Sequence, residues 1–122
     1  LITLGSPNQA KRATYLHNFV SAKLPGSFYD TDVSYISIAG ELNLKGPIAT
    51  KTSLRLSKSF YRALNGNGNG DVIGDGLVPR DSALLIGLKH VVTKETAHGK
   101  TFGKDWYGSK NKVEERFNKS SR

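Results

Sequence analysis

The hexapeptide Gly74-Asp75-Gly76-Leu77-Val78-Pro79 carries most of what this chain says about its fold, together with the run Leu88-Lys89-His90-Val91-Val92-Thr93 and the His98 beyond it. A Gly-Asp-Gly turn leads into Val-Pro and a short apolar segment. The run after it is rich in β-branched residues and reads as a strand. His98-Gly99 then falls in a loop. An acid and a histidine, each placed just after a strand, suit two members of a hydrolytic triad. The acid has to orient the imidazole and stabilise its charged form, so both must sit at the same edge of one sheet. The third member is not visible, for the chain has no Gly-x-Ser-x-Gly and no cysteine.

Working outward, Leu1 to Gly5 reads as a buried strand cut off by Ser6-Pro7-Asn8, as at the end of a parallel strand. From Gln9 to Leu24 the apolar positions Ala13, Leu16, Val20 and Leu24 follow helical spacing, and Pro25-Gly26 stops the helix. His17 lies at its surface or boundary. Val33 to Ala39 is a second β-branched strand, ended by Gly40-Glu41. Leu56, Phe60 and Ala63-Leu64 predict a helix near Thr52 to Leu64. The low-complexity stretch Asn65 to Gly70 reads as a flexible loop. Asp81 or Ser82 is placed to cap a short helix through Leu85. Ser109 is placed to cap a last helix to about Lys119, with Val113 and Phe117 on its inner face.

Strands alternating with helices imply an α/β fold with a parallel sheet and right-handed crossovers. Three parallel strands are a poor domain by themselves, because parallel sheets are buried on both faces. The chain has no Met and opens in mid-strand, so it is expected to be a piece, residues 1–122, of a longer domain.

Composition narrows the classes. No apolar run approaches the roughly 18 residues of a membrane span. Absence of cysteine excludes disulfides, thiol catalysis and cysteine-based zinc sites, and is compatible with a reducing compartment. The formal charge is +8, but Lys and Arg are scattered, which favours a solvated basic surface over a nucleic-acid or anionic-membrane face. Such charge sets nonspecific attraction rather than chemistry. The expected partners are an ester or lipid-like small molecule and the remainder of the same domain. Weak binding to anionic surfaces fits the charge, and no specific nucleic acid, metal or cofactor is expected.

Four stretches in order, LITLGSPN, VSYISIAGE, GDGLVPRDSALLIGLKHVV and WYGSKNKVEERF, resemble the C-terminal half of an α/β-hydrolase. The likeness is to the lipase-like, inositol-deacylase-related hydrolases of cyanobacteria and plastids, which implies a soluble protein of the cytoplasm or plastid stroma. It implies that Asp75 is the triad acid and His98 the triad base, with the nucleophilic serine before Leu1, in the order Ser, Asp, His of that fold. It implies too that the chain alone is inactive, lacking the nucleophile and its oxyanion donors. Residues 45–69 match loosely and read as a lid or insertion. Gly99 departs from the Ser or Thr that often follows the histidine, which puts a local hydrogen bond in doubt.

Each candidate has a plainer competitor. Asp-Gly is an ordinary turn dipeptide, and Asp71 and Asp81 compete with Asp75 as turn residue and helix cap. His90, within a strand, competes with His98, whose plain alternative is a solvated loop histidine. Ser6 stands at a strand end, but Pro7 removes a backbone N–H needed after a nucleophile; its loop is expected to border the substrate cleft. GNGNGDVIGDG resembles calcium-binding glycine-aspartate repeats, yet stands as one copy with Asn69 where glycine is wanted. Phe102, Trp106 and Tyr107 anchor the last helix to the sheet, or stack on bases. The alternative to a hydrolase is a non-catalytic basic binding module on a partial hydrolase scaffold.

Overall fold

The computed structural model describes residues 1–8, 18–19, 22–23, 31–65, 72–85, 87 and 89–120. Its centre is a three-stranded sheet in the order β1-β2-β3, formed by β1 (Ile2–Leu4), β2 (Ile36–Glu41) and β3 (Lys89–Lys94). All neighbours are parallel, with Ile2 opposite Ile36 and Ile36 opposite Lys89. The described helices are α1 (Lys51–Asn65), α2 (Arg80–Ala83) and α3 (Lys110–Ser120). This is an α/β arrangement. The expected Gln9–Leu24 helix, His17, residues 66–70 and Asp71 lie outside the described residues, apart from the helical pairs 18–19 and 22–23.

Alternation along β2 sends successive side chains to opposite faces. Ile38 packs with Val91 and Tyr107 on one face, and Ala39 with Val78 and Ala83 on the other. The central strand is thus covered on both sides, as a parallel sheet requires. The two edges differ. At the β1 edge, Ile2 and the preceding Leu1 are 53% and 65% exposed, and no strand lies beyond β1 among the described residues. The β3 edge instead exposes Lys89, His90 and Lys94.

Several boundaries differ from the sequence reading for physical reasons. Gly40 and Glu41 do not break β2 after Ala39; they are its last two residues and pair with Thr93 and Lys94. Gly40 is there for close approach rather than as a breaker, since a Cβ would stand 2.5 Å from the Thr96 carbonyl oxygen. In α1 the fully buried positions are Ser53 and Ser57, with Tyr61 beside them, while Leu56 faces solvent. Small side chains let this helix lie close to the loops beneath it. Thr50 caps it, its hydroxyl accepting from the Ser53 N–H at 3.3 Å.

Neither Asp81 nor Ser82 caps α2. The helix begins at Arg80 after Pro79, with no side-chain cap, and Asp81 accepts from Arg80 Nε instead. Ser109 does precede α3, and its carbonyl accepts from Lys112 and Val113 N–H. Val113 and Phe117, however, are 40% and 71% exposed. Lys112 Nζ donates to the Lys94 carbonyl at the end of β3, and this turns the Lys112/Glu115 face to the sheet. Among the described residues, no helix is long and apolar enough to cross a membrane.

Candidate active site

The strands run the same way, so their carboxyl ends share one rim, where ligands of open α/β sheets bind. From that rim leave Gly5, the chain after Glu41, and the loop after Lys94. Asp75 and His98 meet there.

Asp75 is 1% exposed, and both of its carboxylate oxygens are occupied. Oδ1 accepts from the N–H groups of Leu77 and Val78, at 3.0 and 2.8 Å. This is an Asx-type turn, in which the acid folds its own following backbone around itself. Gly76 at its corner has φ +100°, a conformation glycine adopts at little cost. Pro79 closes the turn through a bridge between Gly74 and Pro79. Oδ2 accepts from His98 Nδ1–H at 3.0 Å and from the Tyr107 hydroxyl at 3.0 Å.

His98 is held by backbone as well as by ring. Its N–H donates to the Asp75 carbonyl at 2.7 Å, and the residues before it are tied by Thr96 N–H to Glu41 and Ala97 N–H to Asp105. Gly99 accepts from the Phe102 and Gly103 N–H groups, so a tight turn follows the histidine. The imidazole stands edge-on to the Tyr107 ring, with centroids 6.2 Å apart. The His98 side chain keeps 32% of its surface exposed. With Nδ1–H committed to Asp75, Nε2 is the nitrogen left to accept a proton. The hydrogen bond to Asp75, helped by the charge of that carboxylate, raises the His98 pKa above 6.5, with burial opposing.

Tyr61, Tyr107, Gly5 and Gly40 complete the frame, and none was assigned to the site from sequence. The Tyr107 hydroxyl donates to Asp75 and accepts from the Gly40 N–H at 2.6 Å, linking the acid to β2. Burial, then the nearby Asp75 charge, pushes the Tyr107 phenol pKa upward, so it stays a donor. The Tyr61 hydroxyl accepts from the Gly76 N–H at 2.6 Å and ties α1 to the acid's turn; burial raises its pKa too. Gly5 has φ +56°, and a Cβ there would stand 2.4 Å from Asp75 Oδ2. The carboxylate therefore lies directly against the end of β1. The Tyr107 ring packs on Ile38 and Val91 of the sheet, but its hydroxyl gave no sign in the sequence.

The competing candidates fall elsewhere. His90 Nε2 is engaged with the Leu85 carbonyl. Asp81 is an exposed partner of Arg80. Ser6 is half-buried beside Pro7, and Pro7 lines an apolar cleft that His98 also lines. Among the described residues, no hydroxyl is hydrogen-bonded to the His98 ring except through Asp75. None of them group as His, Asp or Glu clusters able to hold a metal. A second acid, Glu41, lies at the same rim, where it binds Arg80 at 2.6 Å and Lys94. No protein-family profile, curated protein or solved structure matches this chain.

The arrangement can hold one imidazole tautomer, stabilise that ring when it becomes charged, and present Nε2 for proton exchange. It is an acid-base pair held at the carboxyl rim of the sheet.

Proposed function

We propose that the chain is the C-terminal portion of an α/β-hydrolase domain, in which Asp75 and His98 serve a serine nucleophile located before Leu1. The observation that carries this reading is the bond from His98 Nδ1–H to the buried Asp75 Oδ2 at the carboxyl end of a parallel sheet. Acid precedes histidine in the chain, as in that fold. The apolar outer edge of β1 further supports it, because a bare apolar edge suits pairing with more of the same sheet.

In the proposed reaction, His98 Nε2 takes the hydroxyl proton as the serine oxygen attacks the ester carbonyl. Asp75 holds the imidazolium without itself being protonated. Collapse of the tetrahedral species breaks the acyl–oxygen bond, and the proton passes from Nε2 to the leaving alcohol. Water then repeats the sequence, releasing the acid and the free serine. On this reading the chain alone is expected to hydrolyse nothing, because the nucleophilic serine and its oxyanion donors lie before Leu1.

The test uses the full-length gene product and a panel of p-nitrophenyl esters. Turnover that ends on treatment with a fluorophosphonate is the expected result. Absence of turnover, with binding to anionic vesicles that weakens steeply with salt, would favour the basic binding module instead.

A further inference from the structure

A cleft of about 340 Å³ opens beside His98. Helix α1 builds one wall with Phe60, Ala63 and Leu64, and the segment after the acid builds another with Leu77 and Val78. Pro7 closes the β1 side. Among the described lining residues, His98 is the one that carries a polar side chain. The walls are tied to the acid-base pair. Leu77 and Val78 donate their N–H groups to Asp75, Tyr61 joins α1 to Gly76, and Phe60 packs edge-on against Phe102 at 6.0 Å. A larger cavity of about 570 Å³ lies along Glu41, Lys58 and Lys94, but it does not reach His98.

We infer that this cleft takes a single alkyl chain of the ester, and that α1 is the element that sets its length. The inference rests on the hydrolase reading above. An apolar cleft with one polar group at its reacting end suits an alkyl chain whose ester lies at the imidazole. Small-molecule pockets run from about 300 to 1,000 Å³, so this one is small. It fits one short or medium chain rather than the body of a two-chain lipid. His98 both accepts the serine proton and protonates the leaving oxygen, so the chain belongs either to the acyl group or to the alcohol. Ala63 controls the volume: it is the smallest side chain on the α1 wall, and it is exposed at the cleft rim.

The test measures kcat/KM of the full-length gene product on two series. One varies the acyl group from acetate to octanoate on a fixed alcohol; the other varies the alcohol from ethyl to octyl on a fixed acetate. In the series whose chain occupies the cleft, the long member is preferred, and Ala63→Trp reduces that preference by about tenfold or more, as a filled apolar pocket does. Phe60→Ala shifts the optimum to longer chains. Leu54→Trp places the same indole on α1 at a position that does not line the cleft, and leaves both ratios unchanged. Esters hydrolysed with ratios that neither Ala63→Trp nor Phe60→Ala alters would overturn the inference while leaving the hydrolase reading intact. Failure to hydrolyse any ester would overturn both.

Discussion

Asp75 and Glu41 are both buried carboxylates at the carboxyl rim of the same sheet, and they are satisfied in opposite ways. Glu41 ends β2 directly opposite Lys94, and its oxygens are met by that lysine and by Arg80. Those two hydrogen bonds, the Lys94 one first, hold its carboxyl below the ordinary 4.5. Its partners are a guanidinium and an ammonium group, with no imidazole among them. Asp75 is met by backbone N–H groups, a phenol and an imidazole. Of these, the imidazole is the one that titrates near neutrality. A carboxylate closed by cations fastens a strand end; one shared between fixed dipoles and a histidine leaves that histidine poised to gain and lose a proton.

The difference can be broken most severely at His98. On the proposed reading, His98→Ala in the full-length protein is expected to lower kcat by about 10⁶-fold, the scale on which removal of a triad histidine acts. Steady-state ester hydrolysis checks it. Asp75→Asn lowers kcat by about 10⁴-fold, through loss of the tautomer that presents Nε2. Glu41→Gln leaves kcat within the same order of magnitude as wild type. Equal losses for Asp75→Asn and Glu41→Gln would erase the contrast between the two acids.

The pH dependence sharpens it. A general base works when neutral, so the proposed role of His98 predicts activity that rises as pH passes upward through its pKa, which is raised above 6.5. Removing the Asp75 charge takes away the cause of that rise, so the residual activity of Asp75→Asn has its acid limb at lower pH. For stability the signs differ between the two acids. The raised His98 pKa contributes stability that is fully present below about 6.5, the unfolded value, and is lost as pH climbs through the folded value. The lowered Glu41 pKa contributes stability present above 4.5, and lost as pH falls through its folded value. Denaturation midpoints against pH should therefore lose their neutral slope in His98→Asn and their acid slope in Glu41→Gln.

Smaller effects follow for the supports. Tyr107→Phe deprives Asp75 of one donor and leaves the Gly40 N–H buried without its acceptor, a loss of about 1–3 kcal/mol on the scale of a buried unsatisfied group. Urea denaturation measures it. Glu41→Gln costs about 1 kcal/mol, since its partners Lys94 and Arg80 are 77% and 34% exposed and solvent-screened pairs are weak.

How much of this was legible depends on what each residue does locally. Asp75 and His98 stood out because turn chemistry and a loop after a strand are short-range signals. The parallel order of strands was legible from their alternation with helices. Tyr107 was not assigned to the acid, because its ring explains its burial and its hydroxyl acts on a residue far away in sequence. Gly40 was misread as a breaker because a glycine required by a close neighbour looks the same in sequence as one that ends a strand. Val113 and Phe117 have the spacing of an inner face, yet Lys112 reaching the Lys94 carbonyl fixes the rotation of α3. No local pattern announces that contact.

The most direct test of the central claim is the rate of fluorophosphonate labelling of the full-length gene product, with the labelled peptide located by mass spectrometry. The account predicts one labelled serine, before Leu1, whose labelling is abolished by His98→Ala, strongly slowed by Asp75→Asn and unaffected by Glu41→Gln. Labelling that proceeds equally in His98→Ala, or no labelled serine in the wild-type protein, would contradict it.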